Sequence, residues 1–237
     1  AVADAAMAHG VLVMEAVMYR LHPQTVRVME IVHSGVLGAV EMISATFTYH
    51  VPNPDDIRLK HALGGGVLAD VGCYCVNVAR MVMECEPVEA IGRARFGPDS
   101  DVDEMFAGLL CFPSGGLATF GCALHGPRQQ EYRITGSEAS LTVPVPFAPG
   151  VDDRTLIVRR GWQRGRETEE RIVVPGADQY RLLVEHFADC VLAGTQPLLP
   201  LAETRANVVV LSELMESALA AEPPPNESGT QIRGHSG

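Results

Sequence analysis

The chain predicts an α+β fold, a large, mainly antiparallel sheet with helices on one face, preceded by one helix and one strand of an alternating α/β unit. Three observations carry this. Eight strand-like segments lie between residues 39 and 174, most of them separated by turn residues. Pro113-Ser114-Gly115-Gly116, set between two apolar runs, is a hairpin signal, and strands joined so tightly must be antiparallel. Helical periodicity returns on both sides of the strand region, which describes an α+β layer. With 237 residues and 47% hydrophobic content the chain can bury a sizeable core.

Taken in order, residues 1–10 read as the end of a helix closed by Gly10. Residues 11–16 are a short apolar run, the pattern of a strand buried in a parallel sheet. Pro23 opens an amphipathic helix to about Ser34, with Val26, Met29, Val32 and His33 at helical spacing. A strand follows at 39–51, then a helix entered from Gly64-Gly65-Gly66, then strands at 88–96, 104–112, 116–124, 131–135, 140–143, 155–160 and 170–174. Helices at 179–193 and 201–221 close the fold, the second with Val208, Leu211, Leu214, Met215 and Leu219 as its buried stripe. Residues 222–237, with three prolines and no apolar period, are expected to be disordered. Segments 105–112 and 117–124 have few polar residues on either side. Their open face is therefore expected to meet a partner, most simply a second copy.

A formal charge of −11 without any Lys/Arg run opposes binding to nucleic acid. The best apolar run, 11–18, is short and holds Glu15, so no membrane partner is expected. The six cysteines sit in apolar stretches without the close-set pairs of a zinc site. Cys73 and Cys75 point to different helix faces, which argues for reduced thiols, no metal, and a cytoplasmic location.

The segment 64–77 carries the chemistry. Asp70, Tyr74 and Asn77 fall at i, i+4 and i+7, on one helix face, while Leu68, Val71, Cys75, Val78 and Val82 form a separate apolar stripe. The polar face is then free to line a cleft. Each residue also has a plainer reading: Asp70 as an acid in the first helical turn, Tyr74 as a half-buried packing residue. His22 reads as a helix-start residue before proline, Asp103-Glu104 as a solvated strand entry, and Arg159, Arg160, Arg164 and Arg166 as an exposed hairpin. Asn53, Asp55, Asp56 and His125 suit a polyhydroxylated ligand or a solvated loop equally well.

Several motifs together resemble the Gfo/Idh/MocA oxidoreductases. They are Glu15-Ala16-Val17-Met18-Tyr19-Arg20-Leu21-His22-Pro23-Gln24, Ile57-Arg58-Leu59, the glycine-opened Asp70/Tyr74 helix, Val102-Asp103-Glu104, Phe112-Pro113-Ser114-Gly115-Gly116 and Glu185-His186-Phe187-Ala188-Asp189. Tyr rather than His at 74 is similar to the branch of dimeric dihydrodiol and D-xylose dehydrogenases. The resemblance implies an NAD(P)-dependent oxidoreductase that transfers a hydride between a nicotinamide (NAD or NADP) and a hydroxyl-bearing carbon of a sugar, polyol or dihydrodiol. Family members open with a Rossmann domain bearing a Gly-rich turn and a Glu-Lys-Pro motif with a catalytic lysine, and neither motif occurs here. The chain is thus expected to be the catalytically incomplete C-terminal part: residues 1–18 the last helix and strand of a Rossmann domain, 19–221 an α+β substrate-binding and dimerisation domain. Tyr74 would be the acid/base, with Asp70 beside it. Arg58, Tyr19 and Arg20 would lie by the cofactor, and Asn77 and His22 by the substrate. A phenol near pKa 10 is a competent acid but needs its pKa lowered by about three units to act as a base at neutral pH. The opposed reading is a non-catalytic sheet domain for self-association or ligand binding, as a homodimer or tetramer.

Overall fold

The clearest two-residue alternation in the chain, Val40–Thr48 (β1), becomes an interior strand of the sheet: Ile43 and Ala45 point into the core while Met42 and Ser44 face solvent. The computed structural model describes residues 2–161 and 165–221. Eight strands form one sheet in the order β2-β3-β4-β1-β5-β6-β7-β8. The others are Glu89–Phe96 (β2), Asp103–Cys111 (β3), Leu117–Ala123 (β4), Gln129–Gly136 (β5), Ala139–Val143 (β6), Arg154–Arg160 (β7) and Thr168–Val174 (β8). Every neighbouring pair is antiparallel except β1 and β4, where Met42 lies opposite Leu117 and Thr48 opposite Ala123. The Pro113-Ser114-Gly115-Gly116 turn closes as expected, with Phe112 N–H donating to Gly116 O at 2.9 Å and Gly115 at φ 84°.

One face of the sheet is covered by Cys73–Met83 (α3) and Leu201–Ala220 (α5), over a core that includes Ile43, Phe106, Leu110, Tyr132, Ile134 and Leu141. α5 lies directly on β2: Gly92 N–H donates to Ser217 Oγ at 3.1 Å, and a Cβ at Gly92 would overlap the Leu214 carbonyl. Of the five residues expected to form its buried stripe, Leu214 is fully buried and Leu211 and Met215 partly so, whereas Val208 and Leu219 are 51% and 65% exposed. The buried line is Asn207, Val210, Leu214 and Ala218. Asn207 sets it, because its amide donates to Cys73 O at 3.2 Å and accepts from Arg80 Nη1 at 3.3 Å, a polar anchor that hydrophobic periodicity does not register.

The other face is open across β3, β4 and β1, where Met105, Leu117 and Met42 are about two-fifths exposed (42%, 41% and 42%). At the N-terminal end, Val2–His9 (α1) stops at Gly10, φ 62°, as the glycine predicts. Residues 11–16 do not form the predicted strand. They make no ladder with any described strand, and an apolar run without a hydrogen-bonding neighbour does not become one. Pro23–His33 (α2) forms with Pro23 in its first turn, and buries Gln24, Thr25, Val28 and Ile31. Gln179–Ala193 (α4) matches its predicted bounds.

The most apolar long span is not residues 11–18 but His61–Met83, long and apolar enough by composition to cross a membrane; more than half of it is buried inside this fold as the core helix. All six cysteines are free thiols. The tail 222–237 and Arg164 lie outside the described residues.

Candidate active site

The site begins at the glycine run, whose second and third glycines are tightly packed. Gly64 closes a short 3₁₀ turn, His61–Leu63, in the left-handed region at φ 74°. Gly65 sits against the Arg58 carbonyl, where a Cβ would stand 2.5 Å away. Gly66, at φ 123°, sits against Asp103, whose Oδ1 a Cβ would overlap. From there the chain enters a single π turn, Leu68–Gly72, before continuing as α3. π turns occur mostly as one-turn insertions in helices, often at functional sites.

Asp70 sits on this π turn. Its Oδ2 accepts from the Tyr49 hydroxyl and its Oδ1 from Arg58 Nε at 3.0 Å. Arg58 in turn donates to Asp56 Oδ1 from its backbone N–H at 3.0 Å and from Nη1 at 3.2 Å. Asp70 is therefore a hub between the loop at Ile57–Leu59 and the end of β1, not a capping residue. The Asp70 carboxylate raises the Arg58 pKa, and burial together with Asp70 holds the Tyr49 phenol well above its ordinary value.

One turn on, Tyr74 is half-buried with its hydroxyl 3.7 Å from Met18 Sδ, and its ring packs against Tyr19, Phe47 and Phe147. Burial raises the Tyr74 pKa, with Cys73, Tyr180, Asp70 and Glu15 adding in the same direction. Beside it, burial pushes the Cys73 thiol up to about 12. Asn77 lies one turn deeper and is buried, its Oδ1 accepting from the Tyr19 hydroxyl at 2.6 Å and from Arg20 Nη1 at 3.1 Å.

The predicted constellation thus separates by depth. Asp70 and Arg58 pair at the accessible end, where the Arg58 side chain is 41% exposed, and Tyr74 stands between them and the floor, packed on Tyr19 and Phe47. Tyr19, Arg20 and Asn77 form its floor: Tyr19 is 0% and Asn77 3% exposed, so neither offers a surface to a ligand. Arg20 is turned toward Asn77 and Glu203. His22 is likewise 0% exposed; its Nδ1 accepts from Gln24 N–H at 3.0 Å, which leaves Nε2 to donate to Gly150 O at 3.2 Å. Burial lowers its pKa, which suits a neutral imidazole capping α2. The buried side of the helix is as predicted, with Leu68, Val71, Cys75, Val78 and Val82 all in the core.

Two residues of this region escaped sequence reasoning. Tyr49 reads as one more strand residue, and its partner comes from another element. Asp103, read as a solvated strand entry, is 3% exposed and accepts from Leu68 N–H at 2.7 Å. No local pattern announces either contact. Beneath the floor, the buried Arg80 binds Glu86 at 2.6 Å, Glu203 at 3.1 Å and Asn207 at 3.3 Å, tying α3 to α5.

Comparison with known proteins agrees with this architecture. A model of the GFO/IDH/MocA C-terminal domain matches residues 25–142. An uncharacterized oxidoreductase of Rhizobium meliloti is 33% identical over 211 residues, covering 88% of this chain and 63% of the relative. D-xylose 1-dehydrogenase (NADP(+)) 2 of Haloferax volcanii is 33% identical over 210 residues, again 88% of this chain and 63% of the relative. Among solved structures, a 3-ketoreductase from Actinomadura kijaniata in complex with NADP and TDP-benzene aligns with a TM-score of 0.81 at 27% identity, over 90% of this chain and 65% of that one. The chain thus spans just under two thirds of the length of these proteins.

Proposed function

Since the chain belongs to the Gfo/Idh/MocA family of oxidoreductases, we propose that it is the substrate-side part of an NAD(P)-dependent oxidoreductase acting at a hydroxyl- or carbonyl-bearing carbon of a sugar, polyol or dihydrodiol. The observation that carries this is the Arg58–Asp70 pair on a glycine-entered π turn, with the half-buried Tyr74 following on the same helix within electrostatic reach of Asp70. The names of relatives that act on D-xylose, on a deoxysugar nucleotide and on a dihydrodiol support the substrate class.

The residues fit a nicotinamide nucleotide in part. Arg58 is exposed enough to meet an anionic group, whereas Tyr19 and Arg20 belong to the floor and are not assigned to the cofactor. When bound, the reduced nicotinamide supplies the hydride. The chain's own contribution is the proton. Tyr74 is a neutral phenol at pH 7 and so holds a proton to give, while burial, by raising its pKa, makes it a weaker acid until a positive charge stands beside it. As a carbonyl carbon gains hydride and its π electrons move onto oxygen, the Tyr74 O–H bond breaks and the proton passes to that oxygen, leaving a phenolate and an alcohol. The reverse step needs a positive charge beside the phenol to bring its pKa down. Arg58 holds Asp70, whose carboxylate in this reading accepts from a second substrate hydroxyl.

The test is an assay of the full-length gene product with NAD(H) and NADP(H) against xylose, glucose and dihydrodiols. Tyr74→Phe should lower kcat by about 10²–10⁴-fold, the usual contribution of a general acid, with unchanged circular dichroism. Turnover unaffected by that change would overturn the assignment. The open sheet face favours a second reading, a sheet domain that serves self-association alone. An absence of cofactor binding together with a stable dimer would establish it.

A further inference from the structure

Asp103 opens β3 at the end of the sheet nearest the glycine run, remote in sequence from the residues assigned to the reaction. It is almost completely buried, its Oδ2 accepts from Leu68 N–H at 2.7 Å, and Gly66 packs so closely on Oδ1 that no side chain fits there. Leu68 is the first residue of the π turn, and Asp70 is two residues on, its own N–H bonded to Gly66 O at 3.1 Å. The segment that presents Asp70 to Tyr49 and Arg58 is thus clamped at its origin by one carboxylate from a different element.

We infer that Asp103 is a positioning residue, whose carboxylate fixes the register of the π turn and through it the contact between Asp70 and Tyr49. This rests on the reading of Asp70 and Tyr74 as the reacting site, but the contact itself can be followed without turnover. Among the described residues, no positive group acts on Asp103. β4 presents Cys122, β2 places Phe96 opposite, and the neighbouring Glu104 is paired with His125 at 3.1 Å. Burial raises the Asp103 pKa to about 6, against the pull of the Leu68 N–H and its own N–H. Protonation in the range just below neutrality therefore weakens the clamp, since a neutral carboxyl accepts less strongly than a carboxylate.

The test is nuclear magnetic resonance on the ¹⁵N-labelled chain. In Asp103→Ala the Leu68 amide should exchange with solvent about tenfold faster, the effect of one lost hydrogen bond, and the Tyr49 hydroxyl proton should move or vanish. Asp103→Asn, whose side-chain oxygen can still accept, should restore both. A folded Asp103→Ala whose Tyr49 hydroxyl proton is unmoved would overturn the inference. Should that variant not fold, the wild-type titration decides: Leu68 and Tyr49 signals sharing a midpoint near pH 6 support positioning, and Leu68 titrating alone overturns it. Either result is independent of the Tyr74→Phe assay, which bears on the reaction only.

Discussion

Tyr49, Asp70 and Asp103 are the residues on which the site's geometry turns, and each is set by a contact made across the fold. Asp103 carries a pH signature with a definite sign. Its pKa in the folded chain is raised from the ordinary 3.8 to about 6, so its stabilising effect is complete below pH 4 and is lost as pH rises through 6. A shift of about two units corresponds to about 3 kcal/mol. Denaturant unfolding of wild type and Asp103→Asn should show the wild type losing about that much relative to the variant between pH 4 and 7. Gly66→Ala should disturb the same clamp, because a Cβ overlaps Asp103 and φ 123° strains any side chain; a loss of roughly 2 kcal/mol or more is expected in the same experiment. Asp70 and Tyr74 were legible in the sequence because helical spacing places them on one side. Tyr49 and Asp103 were not, because their partners stand 21 and 35 residues away on other elements.

Among the elements, the hairpin at 113–116 and helix α4 followed directly from turn residues and apolar period, which are local properties. The errors share a different cause. The apolar run at 11–16 has the composition of a strand but pairs with no strand among the described residues, and the α5 stripe is turned by Asn207, whose partners belong to α3. Polar anchoring between helices is strongest at Arg80, whose side chain is 2% exposed beside Glu86 and Glu203. Arg80→Ala removes a buried guanidinium and its packing stem and leaves Asn207 Oδ1 short of a donor, and should cost about 1–3 kcal/mol by chemical denaturation, whereas Arg80→Met, which keeps the stem, should cost less.

For the whole molecule, the open face carrying Met42, Met105 and Leu117 is largely uncharged, and we propose it as the surface for a second copy. Replacing Met105 and Leu117 by lysine should shift the sedimentation coefficient toward that of a monomer without changing the circular dichroism. The general layout was legible, because strand runs flanked by helices admit few arrangements. The position of β1 was not, since turn chemistry reports only consecutive neighbours, and β1 joins strands that follow it much later.

That placement also dictates an order of events during synthesis. β4 and β5 follow each other closely in the chain, yet β1 lies between them, parallel to one and antiparallel to the other. When residues 40–48 leave the ribosome, neither flanking strand exists, and translation needs on the order of ten seconds to supply them. The β2–β3–β4 meander can assemble in that interval while β1 waits with Ile43 and Ala45 unsheltered. Once β5 emerges, it must leave a slot one strand wide instead of closing directly on β4. The nascent chain should therefore be most open to chaperone capture just before that insertion, and ribosome stalling after residue 136 plus the length of the exit tunnel should mark where protease resistance first appears.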